Sequence, residues 1–268
     1  MSPVHRFLQV DGLRLHVLDF GGAGRPVLLL HGVLGQAWMW AGVAPALTGA
    51  GRVLALDLRG YGDSQWSPTG AYATEDHAGD AAAVIERFGA GAADVVGFSW
   101  GGLVGLALAA RRPDLVRRLA IVDVPPSFAQ SDTEVPPLAG EYASHAEAVE
   151  AERRLSPRAQ DGMLDVMASH GTRPTAGGRL ARKHDPTFLQ RWPFRRDDRW
   201  EQLRALGAPL LIVRASDSAV LSEDEADRMR GEARAATLVR IADCGHLVAV
   251  ERPGPLAAAV TAFLGEPA

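Results

Sequence analysis

Along the chain, short runs of apolar residues alternate with longer stretches in which apolar positions recur every three or four residues. That alternation predicts a mainly parallel sheet covered by helices on both faces, because each parallel strand needs a long crossover before the next. Residues 26–30, 52–56, 93–97 and 119–122 are compact and apolar, as strands buried on both faces must be, and 210–213 and 238–241 extend the series. The opening segment differs. Residues 7–10 and 13–20 flank Asp11-Gly12, which predicts a hairpin. Helical spacing follows over 40–47, 74–88, 102–110, 223–230 and 255–264.

The rhythm breaks between residue 125 and residue 205. No buried strand is predicted there, only polar helices over 144–155 and 157–169 among irregular segments containing glycine and proline. A structureless loop of that length does not suit a compact domain, so an inserted helical cap is expected. The predicted organisation is a core of residues 1–124 and 206–268, with the cap at 125–205 after the sixth strand.

Composition narrows the function classes. The chain has 268 residues, 47% of them hydrophobic and 22% charged, which suits a folded globule and excludes disorder or a disulfide-stapled miniprotein. A net charge of −4 gives no general attraction to nucleic acid or an anionic membrane. Residues 191–200 interleave arginines with aromatics, but Asp197, Asp198 and Glu201 offset the charge, and these aromatics are read as cap core or pocket wall. No apolar stretch is long enough to span a bilayer, and the N-terminal residues carry no secretory signature, so a cytoplasmic protein without membrane or nucleic-acid partners is expected. The 8 histidines form no HExxH-type spacing and Cys244 is the single cysteine, so neither a metal site nor a cofactor is expected. Lys183 is the only lysine among many arginines, a skew that points to a GC-rich coding sequence rather than a surface.

The strongest chemical signal is Gly97-Phe98-Ser99-Trp100-Gly101, lying between a predicted buried strand and a small-residue-rich helix. A serine on such a strained strand-to-helix turn is lifted out at the carboxyl edge of the sheet, and a Cβ on either flanking glycine would meet backbone. The start of the following helix then points unpaired N–H groups at the reacting centre. A serine hydroxyl needs a base, and His246 in Cys244-Gly245-His246, after the last predicted strand, is the candidate. His31, followed by Gly32, reads as a loop-shaping residue. Cys244 lacks a nucleophile's setting and reads as a small packing residue.

These motifs resemble those of the α/β-hydrolase family, and the resemblance covers nearly the whole chain. It rests on His31-Gly32, on Asp57-Leu58-Arg59-Gly60-Tyr61-Gly62-Asp63-Ser64, on the turn at 97–101, and on Gly245-His246 followed by Glu251-Arg252-Pro253, all in the family's order. The resemblance implies an eight-stranded, mainly parallel α/β sheet and a serine–acid–histidine triad without metal or organic cofactor. It also implies an oxyanion hole made by the backbone amides of Trp100 and Val33. Asp57, Arg59 and Asp63 would then brace the loops beside the active edge. The acid departs from the family's commonest pattern. In Arg214-Ala215-Ser216-Asp217-Ser218, Asp217 falls one residue early and Ser218 occupies the usual slot, whereas Asp123 fits relatives that carry the acid after the sixth strand. Both Asp123 and Asp217 remain candidates.

Leu34, Trp38, Phe98 and Trp192 are expected to contact substrate, with Met39, Trp40, Trp100, Phe194 and Trp200 as further possible pocket walls. The implied activity is acyl-enzyme hydrolysis of a carboxylic ester, thioester or lactone of a small to medium, largely apolar molecule, by a monomer or homodimer. Carbon–carbon hydrolysis, acyl transfer or cyclisation, cofactor-free perhydrolysis and a non-catalytic ligand receptor are the alternatives the scaffold leaves open. Relatives that open epoxides or remove halides carry aspartate where this chain has Ser99.

Overall fold

The structure is a computed structural model, and it describes all residues except 1, 90, 129–138, 191, 193, 195 and 266–268. Part of the 125–205 segment and of the 191–200 run therefore lies outside the described residues. The first half of the chain runs β1 (Val4–Val10), β2 (Leu13–Gly21), β3 (Pro26–Leu30), α1 (Ala44–Leu47), β4 (Arg52–Asp57), α2 (Thr74–Phe88), β5 (Ala93–Phe98), α3 (Trp100–Arg111) and β6 (Val116–Val122). An insertion follows, with β7 (Glu141–Tyr142), α4 (His145–Leu155), α5 (Asp161–Gly171), β8 (Thr172–Pro174), β9 (Leu180–Arg182) and α6 (Trp200–Ala205). The chain then returns through β10 (Leu210–Ala215), α7 (Glu223–Glu232), β11 (Ala236–Ile241), α8 (Val248–Glu251) and α9 (Pro253–Gly265).

Eight strands form one sheet in the order β1-β2-β4-β3-β5-β6-β10-β11. β2 runs antiparallel to both neighbours, and every pairing from β4 to β11 is parallel. The wholly apolar strands have a direct explanation in the two cores. Leu28, Leu30, Leu54, Leu56, Val95, Leu119 and Ile121 face one side, packed on α2 and α3. Their neighbours Val27, Leu29, Val53, Ala55, Val96, Ala120 and Val122 face the other, packed on α1 and α9. Alternation is present, but both faces are dry, so the pattern along the sequence is continuous. Each of these leucines contributes roughly 1.5–3 kcal/mol by leaving water.

Some elements differ from expectation. The helix expected over 40–47 is a 3-10 turn (Ala37–Trp40) followed by the four-residue α1, because Pro45 has no N–H with which to continue a helix from Ala41 and is accommodated only in the first turn of α1. The insertion contains a small antiparallel sheet, β7-β9-β8, whose strands of two or three residues are too short to leave a period in the sequence. Among the described residues, no helix is long and apolar enough to cross a membrane.

Parallel strands share one carboxyl edge, and this fixes what can meet there. β3 ends just before His31, β4 at Asp57, β5 just before Ser99, β6 just before Asp123, and β11 a few residues before His246.

Candidate active site

The turn between β5 and α3 is strained in the way the motif demands. Ser99 has φ 51° and ψ −126°, a region that side chains rarely occupy. A Cβ on Gly97 would lie 2.2 Å from the Gly101 carbonyl oxygen, and one on Gly101 would lie 2.4 Å from that of Leu30. Only glycine at both positions allows α3 to start this close to β3 and β5. Leu34 (φ 60°) and Asp123 (φ 57°), both at the same edge, also hold positive φ.

Ser99, His246 and Asp123 are brought into line. Ser99 Oγ lies 3.0 Å from His246 Nε2, and His246 Nδ1 lies 2.8 Å from Asp123 Oδ2. Asp123 is fully buried, its Oδ1 accepts the Ala215 amide at 2.9 Å, and its Oδ2 also accepts the Ser218 hydroxyl at 2.6 Å. An acceptor-only carboxylate facing Nδ1 assigns the imidazole proton there and leaves Nε2 to accept from Ser99. His246 is further held by Phe98, whose ring centre is 4.8 Å away, while the Glu251 carboxylate accepts the Gly245 amide at 2.7 Å.

Asp217, the other candidate acid, does not join them. Its carboxylate pairs with Arg158 at 2.7 Å, and both side chains are about half exposed. The physical reason lies in the β10–α7 turn: Ser218, not Asp217, points inward and hydrogen bonds to Asp123. The residue in the family's usual acid slot thus serves the acid on the neighbouring strand. Cys244 is fully buried, its sulfhydryl donates to the Ile241 carbonyl at 3.4 Å, and burial pushes its thiol pKa up, all contrary to a nucleophile.

The loop after β3 closes on the serine. A Cβ on Gly32 would come within 2.8 Å of Ser99 Cβ, so Gly32 lets Val33 approach the nucleophile, and the Gly35 amide closes the turn on the Gly32 carbonyl at 3.1 Å. His31 shapes this loop. Its Nδ1 donates to the Gly32 carbonyl at 2.7 Å and its Nε2 accepts the Leu58 amide at 3.0 Å, with burial keeping the ring neutral. Asp57 braces the same loop by accepting the Ala37 amide at 2.6 Å, the Asp63 amide at 2.9 Å and His16 Nδ1 at 2.7 Å. Burial works against its charge, but these donors hold its pKa below the usual carboxylate range. Arg59 makes a bidentate pair with Asp80 on α2 at 2.6 and 2.7 Å.

A cavity of about 180 Å³ opens over Ser99. Val33, Leu34, Met39 and Phe98 line it from the core, and Leu155, Leu164, Met167, Trp192 and Phe194 line it from the insertion. Leu34, Phe98 and Trp192 therefore stand where expected. Trp38 does not: it turns away from the cavity and stacks on His170 with ring centres 3.7 Å apart, and its neighbour Met39 lines the wall instead. The 3-10 turn explains the exchange, because successive side chains of a 3-10 turn point in different directions. Three other possible walls also lie elsewhere. Trp40 is in the core beneath the sheet, Trp200 packs under Arg228, and the Trp100 indole points away to donate to Thr74 at 2.9 Å. Phe128, Val220, Leu247 and Val250 complete the wall and carry no sequence signal. Glu152 is the one carboxylate among the lining residues. It pairs with Arg182 at 3.1 Å, and burial pushes its pKa up against that pull.

Comparisons with known proteins agree with this fold. A family profile described as alpha/beta hydrolase fold matches residues 25–253. Esterase Rv0045c of Mycobacterium tuberculosis is 31% identical over 95% of this chain and 88% of its own. The 2-hydroxymuconate semialdehyde hydrolase of a Pseudomonas strain is 27% identical over 99% of this chain and 95% of its own. Among solved structures, E-2-(acetamidomethylene)succinate hydrolase superposes with a TM-score of 0.87 at 22% identity, covering 98% of this chain and 100% of that one, a likeness of fold alone.

Proposed function

The chain belongs to the alpha/beta hydrolase family, and on that premise we propose that it hydrolyses a carboxylic ester, thioester or lactone of a small to medium, largely apolar molecule through an acyl-enzyme. Ser99 Oγ attacks the carbonyl carbon as its proton passes to His246 Nε2, and Asp123 stabilises the imidazolium without taking the proton. The tetrahedral oxyanion is held by the backbone amides of Trp100 and Val33. Each such donor supplies about 3 kcal/mol when preorganised. His246 then protonates the leaving alkoxide or thiolate. Water, deprotonated by the same nitrogen, attacks the acyl carbon and regenerates Ser99. Residues 125–205 act as the cap that encloses the substrate.

The observation carrying this reading is the unbroken relay at 3.0 and 2.8 Å from a serine with φ 51° to a buried carboxylate. The ester class rests on the cavity wall. Apart from Ser99 and His246, Glu152 and Ser156 are its polar side chains among the described residues. Carbon–carbon hydrolysis is the second reading, favoured by the likeness to the Pseudomonas hydrolase named above. A panel of p-nitrophenyl esters, thioesters and lactones of graded acyl length, alongside a vinylogous diketone acid, separates the two. Turnover of medium apolar esters that vanishes in Ser99→Ala supports the first. Turnover of the diketone acid alone overturns it.

A further inference from the structure

We propose that His5, His16 and Asp63 form a binding site for a single divalent transition-metal ion of the zinc type, at the outer end of the β1–β2 hairpin and separate from the Ser99 cavity. One ligand atom from each of these three side chains lies within 4.8 Å of the others. A tetrahedral zinc site with bonds of roughly 2.0–2.2 Å holds its donor atoms roughly 3.3–3.6 Å apart, so small side-chain rotations suffice. His16 and Asp63 sit on or beside the central ladder, where His16 pairs with Asp57 across β2 and β4. His5 comes from β1 and is exposed, with its ring stacked on His16 at 5.0 Å between centres.

The second feature is the way His16 is held. Its side chain is fully buried, and its Nδ1 donates to the Asp57 carboxylate at 2.7 Å. That contact assigns the proton to Nδ1 and leaves Nε2 as a bare donor of a lone pair, aimed at His5 Nδ1 only 2.8 Å away. A carboxylate behind a histidine, fixing its tautomer and raising its basicity, is the arrangement that supports metal-ligating histidines. Binding a cation gives up the present hydrogen bond in exchange for two coordinate bonds. The His5 proton moves from Nδ1 to Nε2, both rings stay neutral, and the two facing lone pairs take the cation in place of two of its waters. Asp63 supplies the anionic ligand. Lys183 occupies its Oδ1 at 2.7 Å, so its ammonium opposes the cation, and the second carboxylate oxygen is the donor available to it. Two imidazoles and one carboxylate suit zinc, copper(II) or nickel(II) better than magnesium or calcium.

This inference does not depend on Ser99 being a nucleophile, and its test reads metal rather than activity. The whole chain, stripped with a chelator, is titrated with zinc by calorimetry and with cobalt(II) by visible absorption. The expected result is saturable one-to-one binding. His5→Ala, an exposed and foldable change, weakens it by at least roughly 10-fold, the lower range for losing even a supporting group. Asp63→Asn weakens it as well, and His145→Ala, at a surface histidine paired with Asp165, leaves it unchanged. Binding of equal strength in His5→Ala, or in Asp63→Asn, overturns the three-ligand assignment, as does the absence of a saturable equivalent in the unaltered chain.

Discussion

The carboxyl edge of the sheet and the insertion above it solve opposite problems. At the edge, Leu34, Ser99 and Asp123 hold backbone conformations that cost of order 1–3 kcal/mol each, and glycines at 32, 97 and 101 make room for them. The insertion has short helices, a sheet of two- and three-residue strands, and buried polar atoms without a partner on Arg182, His184, Tyr142 and Trp192. Chemistry is positioned by strain that a dense core overrides. On the proposed reading, specificity is set by loosely determined side chains that need only fill a wall. The edge should therefore be intolerant of small changes in position, and the insertion should answer substitution with altered preference.

The sharpest break of this contrast compares two aspartates on adjacent turns. Asp123→Asn should lower kcat by roughly 10⁴-fold, because the imidazole loses its tautomer. Asp217→Asn should stay within about a few-fold, since it gives up only an exposed pair with Arg158, of a kind worth about 0–1 kcal/mol. Steady-state kinetics on one ester checks both, and equal losses would erase the distinction drawn between β6 and β10. Next in size is Gly32→Ala. Its Cβ would meet Ser99 Cβ at 2.8 Å and push the Val33 amide off target, so kcat should fall roughly 10²–10³-fold with little change in KM.

In the insertion, Met167→Ala should leave kcat for short esters within a few-fold. It should shift preference toward longer acyl chains by roughly 10-fold, the low end for one side chain in an apolar pocket. A comparison of kcat/KM across acyl lengths reads this directly. The last effect is on stability rather than turnover, and it concerns pH. Burial pushes the His184 pKa down to about 4, with Arg182 adding to the depression. The unfolded chain takes up that proton near pH 6.5 while the folded chain refuses it until about pH 4. Stability should fall as pH drops through that window, by up to about 3 kcal/mol, and be unaffected above it. Denaturant melts of the unaltered chain and His184→Asn between pH 7 and pH 4 should converge as the solution is acidified.

The same contrast explains what was legible in the sequence. Ser99 and His246 could be found because each sits beside a glycine or turn that leaves a mark within a few residues, whereas the Val33 loop came from the family resemblance carried by His31-Gly32. Strands buried on both faces were plain from their unbroken apolar runs. The choice between Asp123 and Asp217 was not local. It depends on which way the β10–α7 turn sends Ser218, and that is decided by packing against β6. Trp38 misled for a similar reason, since a 3-10 turn over Ala37–Trp40, at 37–39 of which no element was expected, decides that Met39 faces the cavity. Phe128, Val220 and the pair Leu247 and Val250 line the wall from three separate segments, and no spacing joins the three.

The relay from Asp123 through His246 to Ser99 is tested most directly by rapid quenching during turnover of a p-nitrophenyl ester, followed by mass analysis of the intact and digested chain. The expected result is a burst of nitrophenol with the acyl mass on the peptide containing Ser99, and neither burst nor adduct in Ser99→Ala. Sustained ester turnover by Ser99→Ala, or an acyl adduct confined to another side chain, would contradict it.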